Sequence, residues 1–80
     1  MVITVRFFAS YADRLGTDQA QLTMQPGASV TELLASVARL PGAQHLPASP
    51  LVAVNHVYAS LSTILRAGDE VAVIPPVAGG

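Results

Sequence analysis

The C-terminal residues form the clearest arrangement for chemistry in this sequence. The chain closes on Pro75, Pro76, Val77, Ala78, Gly79 and Gly80. The two prolines favour an extended polyproline II backbone and lead the chain off a sheet. Glycines have no side chains, so Gly79 and Gly80 can thread a narrow channel with the terminal carboxylate in front. At about 3.3 Å per residue, these six residues reach at most ~20 Å. The pattern favours delivery of a carboxylate into another protein's active site.

Other reactive side chains lack the partners that catalysis or metal binding requires. His45 and His56 are the only histidines, and they do not have metal-ligand spacing. The serines stand outside any nucleophile-elbow motif, and no phosphate-binding glycine-rich loop is present. The chain contains neither Cys nor Lys, which excludes disulfides, thiolate ligands and Schiff bases. We therefore expect no metal site and no self-contained enzyme.

The composition predicts one domain that meets a protein partner. In 80 residues, 51% are hydrophobic and 11% are charged, compared with roughly 25% charged residues in a typical domain. Large bare apolar patches are uncommon on monomers, so part of this surface should be covered by a partner. The alternative is an unusual abundance of small apolar residues.

Charge and hydropathy exclude several other classes of partner. The net charge is −1, which leaves no basic footprint for nucleic acid or an anionic membrane. No apolar run approaches the roughly 20 residues that cross a bilayer. The first residues lack the layout of a signal peptide, so we expect a cytoplasmic protein.

Hydrophobic periodicity predicts one main helix and four or five strands. Strands are expected at residues 2–8, 18–24, 51–54 and 70–74, with a possible fifth at 57–59. Ser29 and Glu32 have capping-box spacing, and an apolar stripe behind them predicts a helix that Pro41-Gly42 ends. Residues 9–15 are expected to form one helical turn closed by Gly16, and 43–50 a loop.

This order of elements predicts an α+β fold of the β-grasp, or ubiquitin-like, type. One amphipathic helix must bury its stripe against one face of a mixed sheet. The first and last strands are both strongly apolar, so they could lie side by side at the centre. The domain would comprise residues 1–74, and the extended tail residues 75–80.

Strand alternation places three large apolar side chains on the sheet face that turns away from the helix. Phe8 has opposite parity to Ile3, Val5 and Phe7, and Ile74 has opposite parity to Val71 and Val73. Tyr58 lies on the neighbouring hairpin. These three residues would form a partner interface, unless they fold into the edge of the core.

Three segments resemble the small subunit of molybdopterin synthase, a sulfur-carrier family within the MoaD/ThiS superfamily. The segment GDEVAVIPPVAGG (68–80) is similar to the C-terminal signature of that family. VRFFASYADRLG (5–16) is similar to its first strand and helical turn, and LVAVN (51–55) also fits. Residues 41–50 match nothing distinctive.

The resemblance implies a β-grasp fold and a chemical role for Gly80. A ubiquitin-activating-like adenylyltransferase would adenylate Gly80 with ATP, and a sulfur-donating enzyme would convert it to a thiocarboxylate. No cofactor would be bound by the chain itself. The tail would enter the large subunit of molybdopterin synthase, within a heterotetramer, and give sulfur to a pterin precursor during molybdenum cofactor biosynthesis. Phe8, Tyr58 and Ile74 match positions that contact the large subunit and the activating enzyme.

Three alternative functions stay open at this point. The chain could carry sulfur for thiamin, cysteine or tRNA thiolation, since such carriers share the fold and the Gly-Gly end. It could be a ubiquitin-like modifier joined to lysines of other proteins through Gly80. It could also be a structural interaction module, which would tolerate loss of Gly79 and Gly80.

Overall fold

Apolar alternation in the first and last strands builds the centre of a mixed sheet. The computed structural model describes residues 1–47 and 50–75. Its strands are β1 (Val2–Phe7), β2 (Gln19–Thr23), β3 (Leu51–Val54), β4 (Val57–Tyr58) and β5 (Glu70–Ile74). They are ordered β2-β1-β5-β3-β4, with β1 and β5 parallel and the remaining neighbours antiparallel. The predicted β-grasp arrangement and the pairing of the first and last strands are confirmed.

Two helices have the local signals that the sequence predicts. Helix α1 (Ala9–Leu15) ends at Gly16, whose φ of 73° lies in the left-handed region that favours glycine. Helix α2 (Val30–Val37) begins at a complete capping box. The Glu32 amide donates to Ser29 Oγ at 3.3 Å, and the Ser29 amide donates to Glu32 Oε1 at 3.3 Å. These bonds satisfy two amides that the first helical turn leaves without partners.

The core lies between α2 and one face of the sheet. Helix α2 contributes Val30, Leu33 and Val37, which are each exposed by at most 1%. The facing strands contribute residues of a single parity, namely Ile3, Val5, Phe7, Val52, Val71 and Val73. Because side chains alternate along a strand, the residues of the other parity lie on the opposite face. That opposite face carries no helix in the described part of the chain, and we call it the open face.

Several element boundaries differ from the sequence-based predictions. Helix α2 ends at Val37, short of Pro41, because the chain tightens beyond it. The amides of Arg39 and Leu40 donate to carbonyls three residues back, at 3.2 and 3.0 Å, which is the 3₁₀ pattern common at helix ends. The predicted loop 43–50 contains a short 3₁₀ helix (Ala43–His45). Phe8 and Ala59, which the sequence-based predictions place at the ends of strands, lie just outside the observed strands.

No helix within residues 1–47 and 50–75 is long and apolar enough to cross a membrane.

Candidate functional site

Two small residues create a depression at the middle of the open face. The strand register aligns Arg6 with Ala72, Ala72 with Ala53, and Ala53 with Tyr58, in a row across four strands. The two alanines are short and the residues at the ends of the row are long, so the surface sinks between them. The resulting depression has a volume of about 330 Å³. It is lined by Arg6, Phe8, Ala53, His56, Tyr58, Glu70, Ala72 and Ile74.

The three predicted interface residues all line this depression. Phe8 is 42% exposed and Tyr58 is 69% exposed, so neither folds into the edge of the core. Ile74 is half-buried on the face opposite to Val73. Phe8 reaches the open face although it follows β1, because its backbone stays extended as the N-cap of α1. The parity argument therefore placed Phe8 and Ile74 on the correct face, and Tyr58, assigned from its position on the neighbouring hairpin, lies there too.

Leu51 extends the apolar surface and was missed by the sequence analysis. It pairs with Ile74 across the β3–β5 ladder and is 48% exposed. Directly paired residues share one face of a sheet, so Leu51 lies beside Ile74 on the open face. Its neighbour Val52 is 2% exposed and fixes the alternation. That parity was the available signal, but four consecutive apolar residues concealed it.

A polar pair also lies in the depression, which the sequence gave no reason to expect. Arg6 Nη1 is 3.8 Å from Glu70 Oε1, and these side chains are 43% and 38% exposed. The Arg6 guanidinium carbon lies 5.9 Å from the centroid of the Phe8 ring, within cation–π range. Arg6 Nε is covered and has no hydrogen-bond partner in the described ranges. At this exposure the ion pair contributes at most about 1 kcal/mol to stability.

A tight turn fixes Tyr58 relative to the central strand. Asn55 and His56 have φ values of 49° and 72°, as in the type I′ turns that suit two-residue hairpins. The side-chain Nδ2 of Asn55 donates to Asp69 Oδ1 at 2.9 Å, and the backbone amide of Glu70 donates to Asn55 Oδ1 at 3.0 Å. These bonds attach the β3–β4 hairpin to the start of β5. His56 is exposed at the rim, as predicted for a turn residue.

The depression adjoins the C-terminal end of β5. Strand β5 ends at Ile74, which lines the depression, and Pro75 follows directly. The predicted tail residues Pro76, Val77, Ala78, Gly79 and Gly80 lie outside the described residues, so their role stays a prediction. A protein that covers the depression would therefore also lie close to the origin of the tail.

A larger hollow on the helix side of the molecule offers less chemistry. It has a volume of about 400 Å³ and is lined by α2, the 3₁₀ helix and the segment around Leu61. None of the described residues that line it is titratable. In residues 1–47 and 50–75, no group of three His, Asp or Glu side chains could hold a metal ion. The depression beside the tail is therefore the candidate functional site.

Comparisons with known proteins agree on one family. The model of the ThiS family matches residues 5–80. A molybdopterin synthase sulfur carrier subunit from Chlamydomonas reinhardtii is 32% identical, with all of both chains covered. SAMP1, a small archaeal modifier protein from Haloferax volcanii, superposes with a TM-score of 0.87 at 26% identity, again over all of both chains.

A second solved structure shows a related chain in a complex. It is the complex of subunits 1 and 2 of the molybdopterin-converting factor from Helicobacter pylori. The matched chain has a TM-score of 0.76 and 26% identity, with all of both chains covered.

Proposed function

This chain belongs to the ThiS family, and from that membership we propose that it is the sulfur-carrying small subunit of a molybdopterin synthase. The observation that carries the proposal is the full-length likeness to the Chlamydomonas sulfur carrier subunit. The complex from Helicobacter pylori supports a second synthase subunit as the partner. The chain would act as a carrier, with the reaction pocket supplied by that larger subunit.

The proposed chemistry begins with activation of the Gly80 carboxylate. A carboxylate is a poor acyl donor because oxide is a poor leaving group. An adenylyltransferase would let a Gly80 oxygen attack the α-phosphorus of ATP, which forms an acyl adenylate and releases pyrophosphate. Hydrosulfide from a sulfur-donating enzyme would then attack the acyl carbon and expel AMP. The product is a thiocarboxylate, in which sulfur has replaced one terminal oxygen.

The thiocarboxylate would then transfer its sulfur inside the large subunit. The sulfur would attack an electrophilic carbon of a pterin precursor and displace an oxygen substituent, which leaves as water, and a second water would cleave the bond between sulfur and the acyl carbon. Gly80 returns to a carboxylate while the sulfur stays on the pterin. Two such transfers supply the two sulfurs of a dithiolene. The chain itself needs no bound cofactor in this scheme, since ATP is consumed by the activating enzyme.

The open face supports this scheme by offering a docking surface next to the tail. Phe8, Tyr58 and Ile74 are apolar groups around one depression, and Ile74 directly precedes Pro75. A large subunit seated on this face would hold the origin of the tail in a fixed place. Holding a reactive group in position removes much of the entropic barrier of a bimolecular step. We therefore propose these residues as the contact to the large subunit.

A protein modifier is a second candidate function, favoured by the structural likeness to SAMP1. A modifier would use the same adenylated Gly80. Its acyl carbon would be attacked by a lysine amine of a target protein, which expels AMP and forms an isopeptide bond. Covalent ladders that contain this chain would favour this function over sulfur transfer.

The deciding experiment is mass spectrometry of the C-terminal peptide. The purified chain would be incubated with ATP, a sulfide source and the activating enzyme of its host. Trypsin cleaves after Arg66, the last basic residue before the end, and releases residues 67–80. Methionine oxidation adds nearly the same mass as exchange of oxygen for sulfur, but both methionines, Met1 and Met24, lie outside this peptide. We expect the peptide to gain the mass of one exchange.

A variant that lacks Gly80 is the matched control for this experiment. It should show no exchange, because its terminal carboxylate ends one residue early for the activating enzyme. The activating enzyme is first shown to adenylate a known substrate. If the C-terminal peptide of the full chain is then still unmodified, the carrier function is contradicted. A peptide linked to lysine would establish the modifier instead.

A further inference from the structure

The Arg6–Glu70 pair is anomalous in a docking surface that is otherwise apolar. The remaining large groups around the depression are Phe8, Tyr58 and Ile74, with the exposed His56 at the rim. Both charged side chains are less than half exposed, and the guanidinium carbon lies 5.9 Å from the centroid of the Phe8 ring. A partner that touches Phe8 must therefore also cover Arg6.

Covering this pair changes its energetics. In water its charges are solvated, and their separation of 3.8 Å is longer than a hydrogen bond. Once a partner excludes water, each charge loses hydration that the loose pair alone does not replace. Arg6 Nε already lacks a hydrogen-bond partner in the described part of the chain. Docking is favourable only if the partner brings polar groups to this position.

We infer that Arg6 and Glu70 form a polar recognition element that selects the large synthase subunit. This inference rests on the proposed function for the identity of the partner. The large subunit presents a hydrogen-bond acceptor to the guanidinium and a donor to the Glu70 carboxylate, within a contact that is otherwise apolar. Apolar groups supply most of the contact area, while the pair discriminates between apolar partners that do and do not match its polarity.

The geometry favours recognition over a purely structural role. As a structural link, the pair would join β1 to β5, but the parallel ladder already holds these strands in register from Thr4 to Phe7. An exposed pair adds little to that stability. The Phe8 ring, 5.9 Å from the guanidinium carbon, and the Glu70 carboxylate instead favour one direction of the Arg6 side chain, which reduces the entropy lost when a partner binds.

A charge-swapped variant tests recognition separately from stability. Arg6→Glu combined with Glu70→Arg keeps an ion pair between the strands but exchanges the positions of donor and acceptor. We expect Kd for the large subunit to rise about tenfold or more, mainly through faster dissociation, as found for desolvated charge pairs. Arg6→Gln combined with Glu70→Gln removes both charges, and we expect a similar rise.

Two controls accompany these variants. Arg39→Glu reverses the charge at an exposed position beyond α2, so it controls for a general effect of altered charge, and it should leave Kd unchanged. Thermal unfolding must show that each variant is folded, and the neutral variant replaces the swapped one if the latter unfolds. The rate constants of association and dissociation are then measured at low and high salt. A desolvated pair alters the dissociation rate. Long-range steering alters the association rate, and its effect fades as salt is added.

The outcomes separate this inference from the proposed function. If the unaltered chain does not bind the large subunit, the proposed function fails. If it binds and the folded swapped variant binds with the same Kd, recognition by Arg6 and Glu70 is wrong while the proposed function stands. A change confined to association and abolished by salt would also overturn the inference, because the pair would then lie outside the desolvated contact.

Discussion

The phenol of Tyr11 is a buried polar group without a visible purpose in the fold. The residue is 6% exposed, and its hydroxyl has no hydrogen-bond partner in the described ranges. A buried hydroxyl without a partner loses its hydration and gains nothing in return. Tyr11→Phe should therefore raise the free energy of unfolding by about 1 kcal/mol. Urea denaturation at constant m-value measures this change directly.

Tyr58→Phe is the matched control for Tyr11, because it removes the same atom from a side chain that is 69% exposed. Its hydroxyl is solvated before and after folding, so the stability should not change. A Tyr11→Phe protein less stable than the original would contradict the prediction and show that the hydroxyl has a partner.

Individual residues also show which features of the candidate site could be predicted from the sequence. The parity of strands placed Phe8 and Ile74 on the open face, because alternation is a local property of the chain. Leu51 was missed because its neighbours are apolar as well, so no polar residue marked the outward parity. The Arg6–Glu70 contact could not be predicted, because it depends on the parallel register that aligns Thr4 with Glu70. The sequence of one strand does not determine its register with a strand that is distant in the chain.

The connection after α2 depends on a close backbone approach at Gly42. Its φ is 88°, and a Cβ built there would overlap the carbonyl oxygen of Arg14, in the last turn of α1. No side-chain movement can relieve this overlap, because the atoms in the way belong to the Arg14 backbone. Gly42→Ala should therefore lower the free energy of unfolding by about 3 kcal/mol, from left-handed strain and overpacking together. Chemical denaturation would measure the loss.

Gly27→Ala separates left-handed strain from overpacking as causes of the stability loss expected for Gly42→Ala. Gly27 has nearly the same φ, 85°, but a Cβ there would meet nothing within 4 Å. It should cost only the left-handed strain, about 1 kcal/mol. Equal losses for the two variants would show that the chain between α2 and the 3₁₀ helix can shift away from α1.

The boundaries of elements were less predictable than their existence. The capping box located the start of α2, because it is a local exchange of hydrogen bonds between Ser29 and Glu32. The end of α2 was placed too late, since Leu40 continues the apolar spacing although the backbone has already tightened. Apolar spacing reports which side chains face the core. It does not report whether the amides bond three or four residues back.

In residues 1–47 and 50–75, one face of the sheet is covered by a helix and the other is not. Helix α2 covers one face, and the other exposes Phe8, Leu51 and Tyr58 at 42%, 48% and 69%. This explains why 51% hydrophobic residues coexist with 11% charged residues in so short a chain. Part of this apolar surplus lies on the open face, where a partner would cover it.

The proposed function divides the work between a folded body that would dock and a tail that would react. Tyr58→Ala should weaken binding to the large subunit about tenfold, because truncating a large aromatic within a contact can cost more than 1 kcal/mol. Deletion of Gly79 and Gly80 should leave that binding nearly intact but abolish sulfur exchange at the terminus. Calorimetric titration would measure the binding, and mass spectrometry the exchange.

Ile64→Ala tests whether position, and not lost apolar area, explains the effect of Tyr58→Ala. Ile64 is 58% exposed and bridges to Ser29 before α2, away from the depression. Its truncation should leave binding unchanged. If Ile64→Ala weakened binding as much as Tyr58→Ala, the contact would lie on the helix side. If deletion of the two glycines abolished binding, the tail would be the anchor, and the open face would need another partner.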